Sequence, residues 1–428
     1  MSGIVLGKQL GQGSYGTVYK IEGQDRAIKY IKSSGSTGLK ELGELNNLKR
    51  FNHPNILKCF GFTVDFKQLG IILPFATSDM VNASDNRNDV QLTKWFYQII
   101  SAVHFMHANS FYHCDIKPAN ILLVNGNAVL SDMGLVGKKN INTDDVCQSY
   151  TSPQLLYRRE KSQIENRGNV FVFPPSILND HVFELPSNEY QDDVWALGQT
   201  FYLMCPDVID NLGVKFEGYD EFILDPEGVL LDSNIPHIYI PLLLMLLDPV
   251  AENRSVNLLQ VLTLDLFKDK NSLIDGEMVV VHNTRPVKFN DDIKVKFTFL
   301  IAKIMNMFKR SNYNLGDFII QAIDLLYRTY EFALENLFKM DHYIHALIII
   351  ILKINNKRDL IDFPITVDMK EIELLILKFT DGHLSRVIIS DVILPSKYLT
   401  FFKWIMDNPE RYEQGSVNKL AQIIGSIK

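Results

Sequence analysis

The period of the apolar positions changes along the chain. From residue 1 to about 80, short apolar stretches alternate with glycine-rich turns, which predicts strands with one helical interruption. There Leu39, Leu42, Leu45 and Leu48 recur every third residue, with Lys40, Glu41, Glu44 and Lys49 between them. Residues 90 to about 268 read mainly as helices, interrupted by short strand-like runs such as Ile121-Leu122-Leu123-Val124. A mixed connector follows over roughly 269–291, with turn signals at Asp275-Gly276 and Asn283. From about 292 onward the pattern is helical again. The most apolar run, Ala346 to Leu352, is far shorter than the roughly 20 residues a membrane span needs, and it predicts a buried helix core.

Composition narrows this picture only a little. A length of 428 residues allows two or three domains, and 46% hydrophobic with 22% charged residues is ordinary for a globular protein. The net charge of −7 and the lack of a basic run argue against a nucleic-acid partner. Cys59, Cys114, Cys147 and Cys205 are scattered, with neither metal-ligand nor disulfide spacing, so reduced thiols in cytosol or nucleus are expected. Met1-Ser2-Gly3-Ile4-Val5 lacks the basic and apolar regions of a secretory signal, and no membrane partner is expected.

Candidate chemistry begins at Gly11-Gln12-Gly13-Ser14-Tyr15-Gly16-Thr17-Val18. Glycines in a hairpin let backbone amides approach phosphate oxygens where a Cβ would collide, although a glycine cluster alone more often makes only a turn. Thirteen positions after Gly16, Ala27-Ile28-Lys29 ends a strand-like run with a cation, and Glu44 on the leucine-lined helix is a possible partner for it. The stronger signal is His113-Cys114-Asp115-Ile116-Lys117-Pro118-Ala119-Asn120, followed twelve residues after Asn120 by Asp132-Met133-Gly134. Phosphoryl transfer needs positioning and charge neutralisation more than covalent help. Asp115 suits orientation of a hydroxyl, Lys117 suits a moving phosphoryl charge, and Asn120 and Asp132 are oxygen ligands suited to Mg²⁺.

Together these residues resemble the signature of eukaryotic protein kinases: glycine-rich loop, strand lysine, helix glutamate, catalytic loop and metal-binding aspartate. Tyr150-Thr151-Ser152-Pro153-Gln154 resembles the end of the activation loop, Asp193-Val194-Trp195-Ala196-Leu197-Gly198 the helix that braces the catalytic loop, and Arg254 the arginine of the C-lobe. The resemblance implies an α+β bilobal kinase fold over residues 1–268, with a β-rich N-lobe over about 1–76 and a helical C-lobe over about 77–268. It implies transfer of phosphate from Mg-ATP to Ser or Thr of a protein substrate, the Lys117 form of the loop being that of Ser/Thr kinases. In that reading Gly11, Gly13, Gly16 and Val18 cover the nucleotide, and Lys29, fixed by Glu44, holds its phosphates. Leu69 to Met80 resembles the hinge of cyclin-dependent kinases, which makes Leu73 the gatekeeper, Pro74 and Ala76 backbone partners of adenine, and Asp79 a ribose neighbour.

Three departures stand out. Cys114 occupies the place of the arginine that receives an activation-loop phosphate, which weakens Thr143 as a switch. Gln154 replaces the glutamate that pairs with Arg254, reducing that ion pair to a hydrogen bond or nothing. About 39 residues separate Pro153 from Asp192, so much of 158–187 is expected to be an insertion.

Beyond the connector, 292–428 resembles an all-α cyclin-like domain, with a helical bundle as the plainer reading. The resemblance rests on Phe318 to Arg328, His345 to Asn355, Ile372 to Phe379 and His383-Leu384-Ser385. It implies that Lys353 and Glu373 form the pair that contacts the kinase, although solvated helix edges explain them as well. It also implies that an intramolecular cyclin-like domain biases the Glu44 helix inward, but that helix lacks the PSTAIRE sequence through which cyclin-dependent kinases meet cyclins. Two alternatives remain: an inert pseudokinase scaffold, and an active kinase whose C-terminal region is only a docking module. The Asn, Ile and Lys richness suggests an AT-rich genome, such as that of a large DNA virus acting in its host cell.

Overall fold

The computed structural model describes residues 4–12, 16–31, 42–65, 68–83, 88–137, 150–155, 187–205, 222, 225–254, 256–269, 274–279, 287, 289–309, 316–355, 360–361 and 363–385. Gly13, Thr143, Cys147, the expected insertion up to residue 186, and everything after Ser385 lie outside them. The described residues fall into two compact units, and the chain visits them out of order. One holds the described residues among 1–51, 59–73 and 278–385; the other holds those among 52–58 and 74–277.

The first unit opens with strands β1 (Leu6–Gln12), β2 (Gly16–Ile21) and β3 (Arg26–Ile31). Helix α1 (Leu42–Arg50) follows, then β4 (Gly61–Asp65) and β5 (Gln68–Pro74). They form a five-stranded sheet in the order β1-β2-β3-β5-β4. Along β3, Ala27, Ile28 and Ile31 are buried while Lys29 and Tyr30 are partly exposed. Gly16 shows why one position of the glycine cluster admits no side chain: a Cβ there would lie 2.4 Å from the Tyr30 carbonyl oxygen of β3.

The same unit contains four long helices: α6 (Asp291–Lys309), α7 (Gly316–Glu335), α8 (Met340–Ile354) and α9 (Val367–Phe379). The run Ala346 to Leu352 is buried along α8, as its hydrophobicity predicts. Tyr343 of α8 and Thr329 of α7 meet through their hydroxyls at 2.7 Å, and Phe332 stacks on Phe379 of α9 at 4.2 Å. Lys353 and Glu373 are not solvated edges: both are buried and they pair at 2.5 and 2.8 Å.

The second unit contains β6 (Ser78–Asp79), α2 (Asp89–Ala108), β7 (Ile121–Val124) and β8 (Asn127–Leu130), then α3 (Glu189–Met204), α4 (Pro226–Asp232) and α5 (Ile240–Leu246). Asn88 caps α2 through Gln91 N, and Asn188 with Gln191 forms a capping box at α3. Between α2 and α3, Phe96 stacks on Phe201 at 4.0 Å, and Tyr239 meets Phe96 edge-on. Among the described residues no helix is long and apolar enough to cross a membrane.

The buried pair of α8 and α9 yields a test. Lys353→Met strands the Glu373 carboxylate and is expected to cost about 3–5 kcal/mol in urea unfolding, whereas Lys353→Met with Glu373→Leu recovers most of that loss.

Candidate active site

In the first unit the sheet and α1 bring Lys29 and Glu44 together. Lys29 Nζ donates to Glu44 Oε1 at 2.8 Å and Oε2 at 2.7 Å, with the carboxylate almost fully buried. Helix α1 forms because Leu42, Leu45 and Leu48 bury one face, while Glu44 in its first turn and Lys49 and Arg50 in its last match the helix dipole. Gly11 pairs with Val18, and Gln12 with Thr17, between β1 and β2. Nothing lies within 4 Å of a Cβ added at Gly11.

The far side of α1 is held by the C-terminal helices. A Cβ on Gly43 would lie 3.0 Å from the carbonyl oxygen of Ile354, so the C-terminal end of α8 abuts the N-terminal turn of α1, opposite dipole ends together. After α9, residues 380–385 form a clasp. Asn46 Oδ1 accepts from the backbone N–H groups of Leu384 and Ser385, each at 3.0 Å. Lys49 donates to Asp381 at 2.8 Å, and Arg50 to the Ser385 carbonyl at 2.9 Å. Arg328 of α7, paired with Asp324, donates to the carbonyls of His383 and Leu384 at 2.7 and 3.0 Å. Burial, with Lys49, Arg328 and Arg50 nearby, lowers the His383 pKa to about 4 despite Asp381.

In the second unit Asp115, Lys117 and Asn120 converge. Lys117 Nζ donates to Asp115 Oδ1 at 2.9 Å and Oδ2 at 2.7 Å, and Asn120 Nδ2 donates to Asp115 Oδ2 and to its carbonyl, both at 2.8 Å. Asp193 of α3 organises the loop: its carboxylate accepts from the backbone N–H of His113 at 2.6 Å and of Cys114 at 2.8 Å, and contacts His107 Nε2 at 3.0 Å. His113 Nδ1 accepts from Asp115 N, which leaves its Nε2–H to donate to the Ser131 carbonyl at 2.9 Å. Ser131 returns to Asn120: its N and Oγ donate to the Asn120 carbonyl at 2.8 and 2.9 Å, which brings Asp132 beside the loop. Cys114 and Asp132 both have left-handed backbones, φ 68° and 59°, the kind of strain that surrounding contacts must hold.

A magnesium ion fits this donor set. Asn120 uses its amide nitrogen on Asp115, so its carbonyl oxygen faces away from that carboxylate and, with Asp132, would supply hard oxygen ligands to such an ion. Among the described residues no group of three or more His, Cys, Asp or Glu converges. A cation here would therefore draw its remaining ligands from water and phosphate oxygens, which suits Mg²⁺.

The other expected positions divide. Pro74 ends β5, Ala76 follows it, and both are partly exposed; Leu73 is buried. The Asp79 carboxylate accepts from Asn82 N and Nδ2 at 2.9 Å, closing a turn after β6. Gln154 keeps a hydrogen bond to Arg254, whose Nη2 donates to Oε1 at 2.6 Å; the guanidinium is buried and lies 4.8 Å over the Trp195 ring. The clasp was not anticipated from sequence, because nothing local to Asn46 or Asp381 marks it.

Residues 4–208 match the family model described as the protein kinase domain. That stretch is similar to protein kinase domains. The match ends short of residue 268, the limit expected from the motifs. Similar proteins include provisionally named serine/threonine-protein kinases of two organisms. The one in Dictyostelium discoideum is 32% identical over 35% of this chain and 32% of its own length. The one in Acanthamoeba polyphaga mimivirus is 25% identical over 52% of this chain and 34% of its own length. The Aurora kinase of Saccharomyces cerevisiae is 29% identical over 36% of this chain and 47% of its own length. This chain thus spans between about a third and a half of these relatives.

Two outcomes are expected. Gly16→Ala lowers the melting temperature, by about 1–3 kcal/mol of stability, because its Cβ meets backbone, whereas Gly11→Ala leaves it nearly unchanged. For His383 the folded pKa lies below the ordinary 6.5, so its contribution to stability is complete above about pH 6.5 and is lost as pH falls toward 4. Unfolding free energies across that window should decline less steeply in His383→Gln than in the wild type.

Proposed function

We propose that the chain is a serine/threonine protein kinase that transfers the γ-phosphate of Mg-ATP to protein hydroxyls. The observation that carries this reading is the Asp115–Lys117–Asn120 cluster held by Asp193 and followed by Asp132. In this reading Asp115 orients the acceptor hydroxyl and takes its proton, and Lys117 steadies the moving phosphoryl charge. Asn120 and Asp132 hold Mg²⁺, which when bound neutralises phosphate charge. Lys29, kept in place by Glu44, binds the α- and β-phosphates, and Gly11, Gly13, Gly16 and Val18 cover the nucleotide. Pro74 and Ala76 offer backbone groups to adenine, and Asp79 faces the ribose once its turn with Asn82 opens. An inert scaffold would have no need of so complete a set of charged partners.

The helices from 292 onward are proposed to be a cyclin-like domain that activates in cis. What supports this is their hold on α1: the clasp and the α8 terminus bear on the same short helix that presents Glu44. Lys353 and Glu373, buried and paired with each other, are kept in this reading as part of the contact with the kinase, and Asn46, Lys49, Arg50 and Asp381 are added to it.

Labelled ATP and a test protein check both parts. Asp115→Ala should lower phosphotransfer by about 10²–10⁴-fold without loss of fold. Asn46→Ala combined with Asp381→Lys should lower it several-fold, and wild-type activity in that variant would leave the helical region as a docking module only.

A further inference from the structure

We propose that Asp192, in the first turn of α3, is a positioning residue that anchors the end of segment 150–155 in place of the carboxylate that position 154 lacks. This rests on the kinase reading, in which that segment presents the protein acceptor. Arg254 is a buried guanidinium, and such a group is held most strongly by an anion. Position 154 offers it an amide instead. Gln154 Oε1 accepts from Arg254, while Gln154 Nε2 donates to the Pro249 carbonyl at 2.7 Å. Arg254 is further met by the carbonyls of Asp248 at 2.8 Å and Pro249 at 3.3 Å.

A stronger hold lies two residues earlier. Ser152 is fully buried, and its Oγ donates to Asp192 Oδ1 at 2.5 Å while accepting from Leu155 N at 3.2 Å. Ser187 Oγ donates to the same carboxylate oxygen at 2.8 Å, tying the approach to α3 to the same point. Hydrogen bonds to an ionised acceptor are short and roughly twice as strong as neutral ones. Asp192 is itself well placed for a charge: its N donates to the Asn188 carbonyl at 3.0 Å in the helix's first turn, where the dipole favours an anion. The carbonyl of its neighbour Gln191 accepts from Arg254 Nη1 at 3.4 Å, so one turn of α3 meets both Arg254 and the segment's serine. The charged anchor of this segment has moved from residue 154 to residue 192.

The test uses the full chain with Ser152→Ala, Asp192→Asn, and each combined with Gln154→Glu. Amide hydrogen exchange of residues 150–155 and the KM values for ATP and for a protein substrate are measured, with melting temperature as the check on folding. Ser152→Ala should raise exchange of the segment and KM for the protein substrate by about tenfold, leaving KM for ATP unchanged. Asp192→Asn, which keeps an acceptor but no charge, should do the same to a smaller extent. Adding Gln154→Glu should restore both quantities by giving Arg254 a carboxylate. Wild-type exchange in both single variants, an unchanged KM for the protein substrate, or failure of Gln154→Glu to rescue would each overturn the proposal. If the wild type transfers no phosphate, the kinase reading fails, while exchange and its rescue still decide the anchor.

Discussion

The buried pair of Lys29 and Glu44 is the constraint around which the first unit is organised. A lysine and a carboxylate withdrawn from water repay that cost only when both are held in good geometry. The sheet fixes Lys29 through its pairing with Val18 in β2. Glu44 has a weaker footing of its own, because a helix of nine residues is not stable by itself. Its orientation depends on what lies behind it, and there the chain supplies α8 and the turn after α9. Asn46, two residues after Glu44, is bound by two backbone amides more than 300 residues away. The grouping of the first strands with the last helices follows from the same contacts.

The loop from His113 to Asn120 in the second unit solves a different problem. Its chain must turn through left-handed backbone at Cys114 and Asp132, and neither is glycine. Asp193 meets this by accepting from two successive backbone amides, while His113 links the loop to Ser131 through both ring nitrogens. The side chain of Cys114 has no part in these bonds; the backbone N–H does the holding. An arginine at that position is therefore dispensable for the shape of the loop. What it would add is a response to a distant phosphate, and in the proposed reading the hold on α1 takes that role.

Much of this was legible in sequence where residues act through local spacing. The catalytic motif, the strand lysine with its helix glutamate, and the buried run of α8 all have short-range patterns that physics reads directly. The weakened partner of Arg254 was also readable from Gln154, though not its hydrogen bond to Pro249. Three things were not. That Lys353 and Glu373 pair was implied by the resemblance, but not that the pair is buried, because nothing in a helical period reveals that two facing helices enclose it. Gly16 was read for phosphate contact, yet its steric demand comes from Tyr30 in the next strand. The clasp depends on pairs such as Lys49 and Asp381, 332 residues apart, where each residue is ordinary in its own surroundings.

In the proposed reading, the hold on α1 from within the chain keeps Glu44 against Lys29 with no phosphate elsewhere. Phosphotransfer by the full chain before and after phosphatase treatment tests this most directly. The account predicts equal rates in both states. Activity that vanishes with the phosphate and returns with rephosphorylation would contradict it.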